Sequence, residues 1–328
     1  MMKRIKKILN EKAELLLLCF LLGFCLTLIQ PAKFQPVASV AEQLARDFAF
    51  PPATYPTQGI ITVAHHADLD QIFSAQDYDL RQLQSGGNSV PAIFLTRLPT
   101  DLHEIETAQD KKDLFIRSVL PLVLLANDHI IESRKKLIAA WNKQRSGTAL
   151  TADELEFIAN LSEEYNVPDQ DMAKLAMRVD VIPPSLAIAQ AAEESGWGTS
   201  RFTRHGNALF GQQVYGKQSG GILPLQRETG RQHLVRSFDN LFGTVLSYTQ
   251  NLNTHPAYEN FRRMRAGFRY NRQYMDSNRL IETMNRYSER GEKYVQTIKR
   301  IIDANDLQSL DRAKLEASNT DYWRQRMI

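Results

Sequence analysis

The chain has 328 residues, 43% of them hydrophobic, with 40 Lys and Arg against 37 Asp and Glu for a net charge of +3. That is apolar material for one large or two modest packed domains, and it excludes disorder over most of the length. Basic residues interleaved almost one for one with acidic ones also exclude a dedicated nucleic-acid binder, which needs a concentrated basic stripe.

At the N-terminus Lys3, Arg4, Lys6 and Lys7 precede an apolar run from Leu15 to Ile29, the pattern of a secretory signal or an uncleaved signal anchor whose positive end stays in the cytoplasm. The run falls short of the roughly 20 residues of a full membrane span. Ala38 and Ala41 offer small residues for processing, but no clean cleavage box follows, so anchor and cleaved signal both stay open. The bulky Phe24 before Cys25 argues against lipidation. Both cysteines, Cys19 and Cys25, lie in this segment, which leaves the exported body without disulfides or cysteine catalysis. Residues 31–60 carry five prolines and little periodicity and read as a tether.

From Asp113 to Trp141, Leu114, Val119, Leu122, Leu125, Ile130, Ile131 and Leu137 recur at helical spacing, a packing element. Thr151 and Glu154 make a capping box that opens a second helix, to Tyr165. Pro183 and Pro184 can only open a helix, which the Ala-rich run Leu186 to Ala192 continues and Gly196 stops. Glu193 and Glu194 thus fall in its last turn. There the negative end of the helix dipole, with burial near Trp197, raises a carboxyl's affinity for its proton. A proton kept near neutral pH makes a general acid. Gly216, Gly220, Gly221, Pro224 and Gly230 then punctuate two strand-like runs, Ile222 to Gln226 and Gln232 to Phe238, read as a β-hairpin lobe. The last helix, Lys293 to Ala304, sets Val295, Ile298 and Ile302 on one buried face.

The run Ala189-Gln190-Ala191-Ala192-Glu193-Glu194-Ser195-Gly196-Trp197-Gly198-Thr199-Ser200, followed by Gly206-Asn207-Ala208-Leu209-Phe210-Gly211, resembles the signature of the glucosaminidase superfamily, the lysozyme-like hydrolases of glycoside hydrolase family 73. Leu252 to Tyr258 (Leu-Asn-Thr-His-Pro-Ala-Tyr) and Arg286 to Tyr294 (Arg-Tyr-Ser-Glu-Arg-Gly-Glu-Lys-Tyr) are similar to its Bax-type branch, bacterial cell-envelope proteins with a C-terminal glucosaminidase domain. So are Asp110 to Phe115, Leu120 to Leu122 and Ala126-Asn127 upstream. The resemblance runs over residues 90 to 307. It implies a mainly α (α+β) fold: a lysozyme-like helical domain with a small β-hairpin lobe, preceded by a helical N-terminal region. The chain then divides into 1–30 (signal or anchor), 31–60 (tether), 61–165 (helical region), 166–307 (catalytic domain) and 308–328 (C-terminal tail).

By the same resemblance Glu194, directly before Ser-Gly-Trp-Gly, is the catalytic acid, and Tyr287 falls where the family carries an active-site tyrosine. Glu228, at the hairpin tip, is the candidate second carboxylate of an inverting scheme, in which the two carboxyls stand about 6.5–9.5 Å apart. Glu193 and Asp239 are the fallback choices, although Glu193 should point about 100° away from Glu194. Trp197, Asn207, Phe210 and Tyr258 are candidates for gripping N-acetylated sugars by stacking and hydrogen bonding. His205, His233 and His255 lack metal-ligand spacing, His65-His66 stands alone, and no phosphate-cradling glycine loop is present, so neither metal nor cofactor is expected.

The expected activity is hydrolysis of the β-1,4 bond after N-acetylglucosamine in peptidoglycan, on glycan strands in the periplasm. The inner membrane is a partner if the leader is retained, and an envelope regulator of unstated identity is a further expected partner. Lytic transglycosylase or muramidase-type cleavage is the alternative within enzymes. A catalytically idle wall-binding module is the alternative outside them.

Overall fold

The computed structural model describes residues 59–215, 221–223 and 233–316. Chain contacts divide the protein into Met1–Phe50 and Pro51–Ile328, and everything described belongs to the second unit. The apolar run Leu15 to Ile29, most of the tether, and Glu228 lie outside the described residues.

The order begins with β1 (Ile60–Ile61), α1 (His66–Ala75), α2 (Leu80–Gln84), β2 (Ser89–Val90) and β3 (Phe94–Leu95), with β1 parallel to β3. The long helix α3 (Ala108–Arg145) follows, with Thr107 accepting a hydrogen bond from the Asp110 amide at its start. The periodic stretch read from the sequence is its middle. The apolar pattern stops short of both helix ends because the first and last turns are polar. Leu114 to Asn127 is buried without a break, the mark of a helix covered on all sides. Among the described residues α3 is the helix long and apolar enough to cross a membrane, yet 78% of its apolar window is buried inside the protein.

Next come α4 (Ala152–Glu164), with the Thr151–Glu154 capping box formed, and α5 (Met172–Arg178), capped by Asp171. Then α6 (Pro184–Ser195) is buried from Pro184 to Ala192. The short α7 (Arg201–Gly206) leads to a sheet of β4 (Gln213–Tyr215), β5 (Gly221–Ile222) and β6 (His233–Arg236). This sheet is antiparallel in the order β4-β6-β5, so the expected hairpin has a third strand. Its contribution is three residues directly after the Gly211 bend, too short to show alternation. The remaining helices are α8 (Leu241–Thr254), α9 (Glu259–Tyr270), α10 (Ser277–Ile281) and α11 (Glu292–Ala304). A 3-10 turn at Leu307–Arg312 leads to β7 (Lys314–Leu315), parallel to β2.

The architecture is mainly α and lysozyme-like, with α6 at its centre, packed on α3, α10, α11 and the Leu307–Arg312 turn. Its Ala187, Ala189, Ala191 and Ala192 are all fully buried, and small side chains permit that many close neighbours. The approach to α6 is fixed by polar clamps. Asn127 of α3 both donates to the Ile182 carbonyl (2.8 Å) and accepts from its amide (3.0 Å). Arg265 of α9, fully buried, donates to the carbonyls of Met177, Asp180 and Val181. The Asp180 carboxylate takes two hydrogen bonds from Arg269 (2.8 and 3.1 Å), with Arg134 of α3 at 3.7 Å. Surrounding guanidinium groups hold Asp180 below the usual carboxylate range against its burial. A buried acid with several cationic partners stays charged.

Candidate active site

The C-terminus of α6 is an unusual bend. Gly196, Trp197 and Gly198 all adopt left-handed backbone (φ +58°, +56° and +80°). Gly196 ends the helix as a left-handed cap, with the Trp197 amide returning to the Ala192 carbonyl at 2.9 Å. The Ser195 hydroxyl accepts from the Gly198 amide, and the Ser200 amide closes on the Ser195 carbonyl, both at 2.9 Å. A Cβ on Gly198 would stand 2.6 Å from Leu98 Cδ1, 3.0 Å from Leu102 Cδ1 and 3.1 Å from Phe115 Cδ2, so only glycine fits. Trp197 lies edge-on to Phe115 (centroids 5.7 Å) with Lys112 Nζ 5.3 Å over its ring. The upstream region is therefore the floor of this bend.

Glu194 is half-buried two residues before it, in the last turn of α6. Burial raises its carboxyl above the ordinary range and the negative charge of Glu193 adds to this, while a hydrogen bond with the Tyr294 hydroxyl and the charge of Arg290 pull the other way. Gly211, left-handed at φ +57°, brings its backbone against the acid: a Cβ there would stand 3.2 Å from Oε2. Glu193 points elsewhere, as the helical rotation requires, and pairs with Arg290 at 2.5 Å. Arg290 in turn donates to Thr297 Oγ1 at 2.9 Å.

Aromatic rings wall the acid. Tyr287 stacks on Tyr294 (5.3 Å, 14°) and stands 6.0 Å from Tyr258, which contacts His255 at 5.6 Å. Burial first, then the neighbouring phenols and Glu194, push the Tyr287 hydroxyl well above its usual range, so it stays a donor. Tyr258 is 7% exposed and its hydroxyl is bonded to the Asn251 side chain. Phe210 is 3% exposed and lies face to face on Tyr248 (3.9 Å, 7°), a wall support rather than a presented surface. Asn207, left-handed at φ +52°, ends α7, and its side-chain amide donates one hydrogen bond to the Phe238 carbonyl at 3.0 Å. Asp239 is exposed at the foot of the sheet.

Sequence reasoning passed over Gln190, Tyr248 and Tyr294. Tyr248 donates to Gln190 Oε1 (2.7 Å), and Gln190 Nε2 donates to the Tyr294 hydroxyl (3.0 Å). The available signal was Gln190 itself, a lone amide in an Ala-rich buried run, four residues and so one turn before Glu194. Among the described residues no group of three or more His, Cys, Asp or Glu is placed to hold a metal ion.

The glucosaminidase family model, described as mannosyl-glycoprotein endo-beta-N-acetylglucosaminidase, matches residues 170–307. The chain is 30% identical over 230 residues to Protein bax of Escherichia coli (strain K12), an alignment covering 68% of this chain and 76% of that protein. No solved structure matches.

Proposed function

We propose, from the premise that this chain belongs to the glucosaminidase family as a Bax-type member, that it hydrolyses the β-1,4 bond after N-acetylglucosamine in peptidoglycan, with Glu194 as general acid. Peptidoglycan-related glycosidase activity in the cell envelope is what the family carries. The activity is assigned to the periplasm, where that glycan lies. The observation that supports it most is the environment of Glu194: a half-buried carboxyl, raised by burial, at the C-terminal end of α6, ringed by Tyr258, Tyr287 and Tyr294. A carboxyl whose hold on its proton is strengthened in this way can donate it to the leaving glycosidic oxygen as the anomeric C–O bond breaks.

The carboxylate formed in that step keeps the Tyr294 hydroxyl as its donor. Tyr287 is assigned to steadying the acetamido group or the charge developing at the anomeric carbon. Displacement is completed by water or by the substrate's own acetamido oxygen. Glu193 is engaged by Arg290 and is a poor second carboxylate; Glu228, outside the described residues, is that candidate, with the exposed Asp239 as the fallback. Residues 166–307 are assigned the chemistry and 61–165 the floor beneath it, with Leu15 to Ile29 directing export or anchoring.

The test is digestion of purified peptidoglycan by the protein and by Glu194→Gln, followed by reduction and mass spectrometry of the new sugar ends. Reducing-end N-acetylglucosamine that is absent with the variant is the expected result. Anhydro-muramyl ends would make the protein a lytic transglycosylase, and no soluble products from either would leave a wall-binding module.

A further inference from the structure

Behind Glu194 lies a run of three polar side chains with almost no access to solvent: Gln190 and Tyr248 are fully buried and Tyr294 is 1% exposed. They come from three helices, α6, α8 and α11, and meet nowhere in the sequence. Each contact allows one direction only. A phenol has a single hydrogen, and Tyr248 gives its own to Gln190 Oε1. The Gln190 amide then presents its N–H to the Tyr294 oxygen. Tyr294 therefore accepts on one side and has its own hydrogen left for the Glu194 carboxyl, with which it shares a hydrogen bond.

Turning the Gln190 amide round would deprive the Tyr248 hydrogen of its acceptor in a fully buried position and leave Tyr294 donating to Gln190 instead of Glu194. Leaving a buried donor unmet is costly, so the chain is held in one polarity. Burial keeps both phenols protonated, since it raises Tyr248 and Tyr294 far above their usual range.

We propose that Tyr248, Gln190 and Tyr294 are positioning residues for the acid: a one-way hydrogen-bond chain that occupies one oxygen of the Glu194 carboxyl, leaves the transferable proton on the other, and stabilises the negative charge left on the carboxylate when that proton departs. The proposal rests on the reading of Glu194 as general acid and adds what sets its geometry. An unsupported carboxyl would carry its proton on either oxygen and turn about its last torsion, whereas this one is aimed.

The test uses Tyr294→Phe, Tyr248→Phe and their double variant in the full chain. Tyr294→Phe removes one oxygen, keeps the ring that stacks on Tyr287, and should lower kcat about 10- to 100-fold with KM unchanged, the loss of one charge-assisted hydrogen bond. It should also move the Glu194 titration upward, read by 13C-carboxyl NMR against Glu194→Gln, a measurement that needs no turnover. Tyr248→Phe should act in the same direction but less. The double variant should be no worse than Tyr294→Phe, because Tyr248 reaches the acid only through the chain. A Tyr294→Phe protein that loses thermal stability but keeps the wild-type Glu194 titration would overturn the proposal. Additive effects in the double variant would do the same. If the wild type cuts no glycan, the proposed function falls, and the titration still decides whether the chain exists.

Discussion

The two ends of α6 each hold a carboxyl group that burial drives toward its protonated form, and they are built for opposite purposes. At the N-terminal end Asp311, from the Leu307–Arg312 turn, accepts the Ser185 amide on Oδ1 (2.7 Å) and the Ser185 hydroxyl on Oδ2 (2.8 Å). It replaces the cap that Pro183 has no side chain to provide. Burial pushes Asp311 up to about 7 even though the Ser185 and Ser277 donors pull it down. At the C-terminal end Glu194 is raised by the same desolvation, sits at the negative end of the helix dipole, and has the Tyr294 hydroxyl as its hydrogen-bond donor. Desolvation alone therefore does not separate a structural acid from a reactive one. What separates them is how many of the carboxyl's oxygens the protein has already engaged.

The largest effect expected from breaking this contrast is at Glu194. Glu194→Gln should reduce glycan cleavage by about 10²- to 10⁴-fold, the usual range for a lost general acid, with an unchanged unfolding temperature. Gly198→Ala should break the platform on which the acid's end of the helix rests. Its Cβ would meet Leu98, Leu102 and Phe115 at 2.6–3.1 Å in a left-handed conformation, for a cost of about 2–4 kcal/mol in a urea titration.

At the other end, Asp311→Ala should cost about 1–2 kcal/mol, a lost cap that leaves buried Ser185 donors unmet. The pH dependence sharpens the point. Because folding raises Asp311 from 3.8 to about 7, its contribution to stability is complete in acid and is lost as pH rises toward and through 7. That slope in unfolding free energy should flatten in Asp311→Asn. The smallest effects concern the rim of the site. Glu193→Gln should move the Glu194 titration down and Arg290→Gln should move it up, both weakening in high salt because Arg290 is exposed.

Much of the α6 story was legible beforehand because its signals are local. Prolines open the helix, alanines carry it, Gly196 ends it, and the Thr151–Glu154 box announces α4 within four residues. The helix stop at Gly196 was legible, while the reason for Gly198 was not, since its neighbours Leu98, Leu102 and Phe115 lie some eighty to a hundred residues upstream. Long-range polar contacts stayed hidden for the same reason. Asp311 is 126 residues from Ser185, and Tyr248 and Tyr294 are 58 and 104 from Gln190. No periodicity encodes such pairs. Asn207 and Phe210 stand in the motif as sugar-binding candidates, and their partners Phe238 and Tyr248, set by the tertiary fold, explain their burial instead.

The most direct measurement is the rate of glycan-bond cleavage by wild type, Glu194→Gln and Asp311→Asn, each at a pH and temperature where it is fully folded. The account predicts that Glu194→Gln is folded and inactive while Asp311→Asn, once folded, cuts at the wild-type rate. A Glu194→Gln protein that cleaves as fast as the wild type would contradict it.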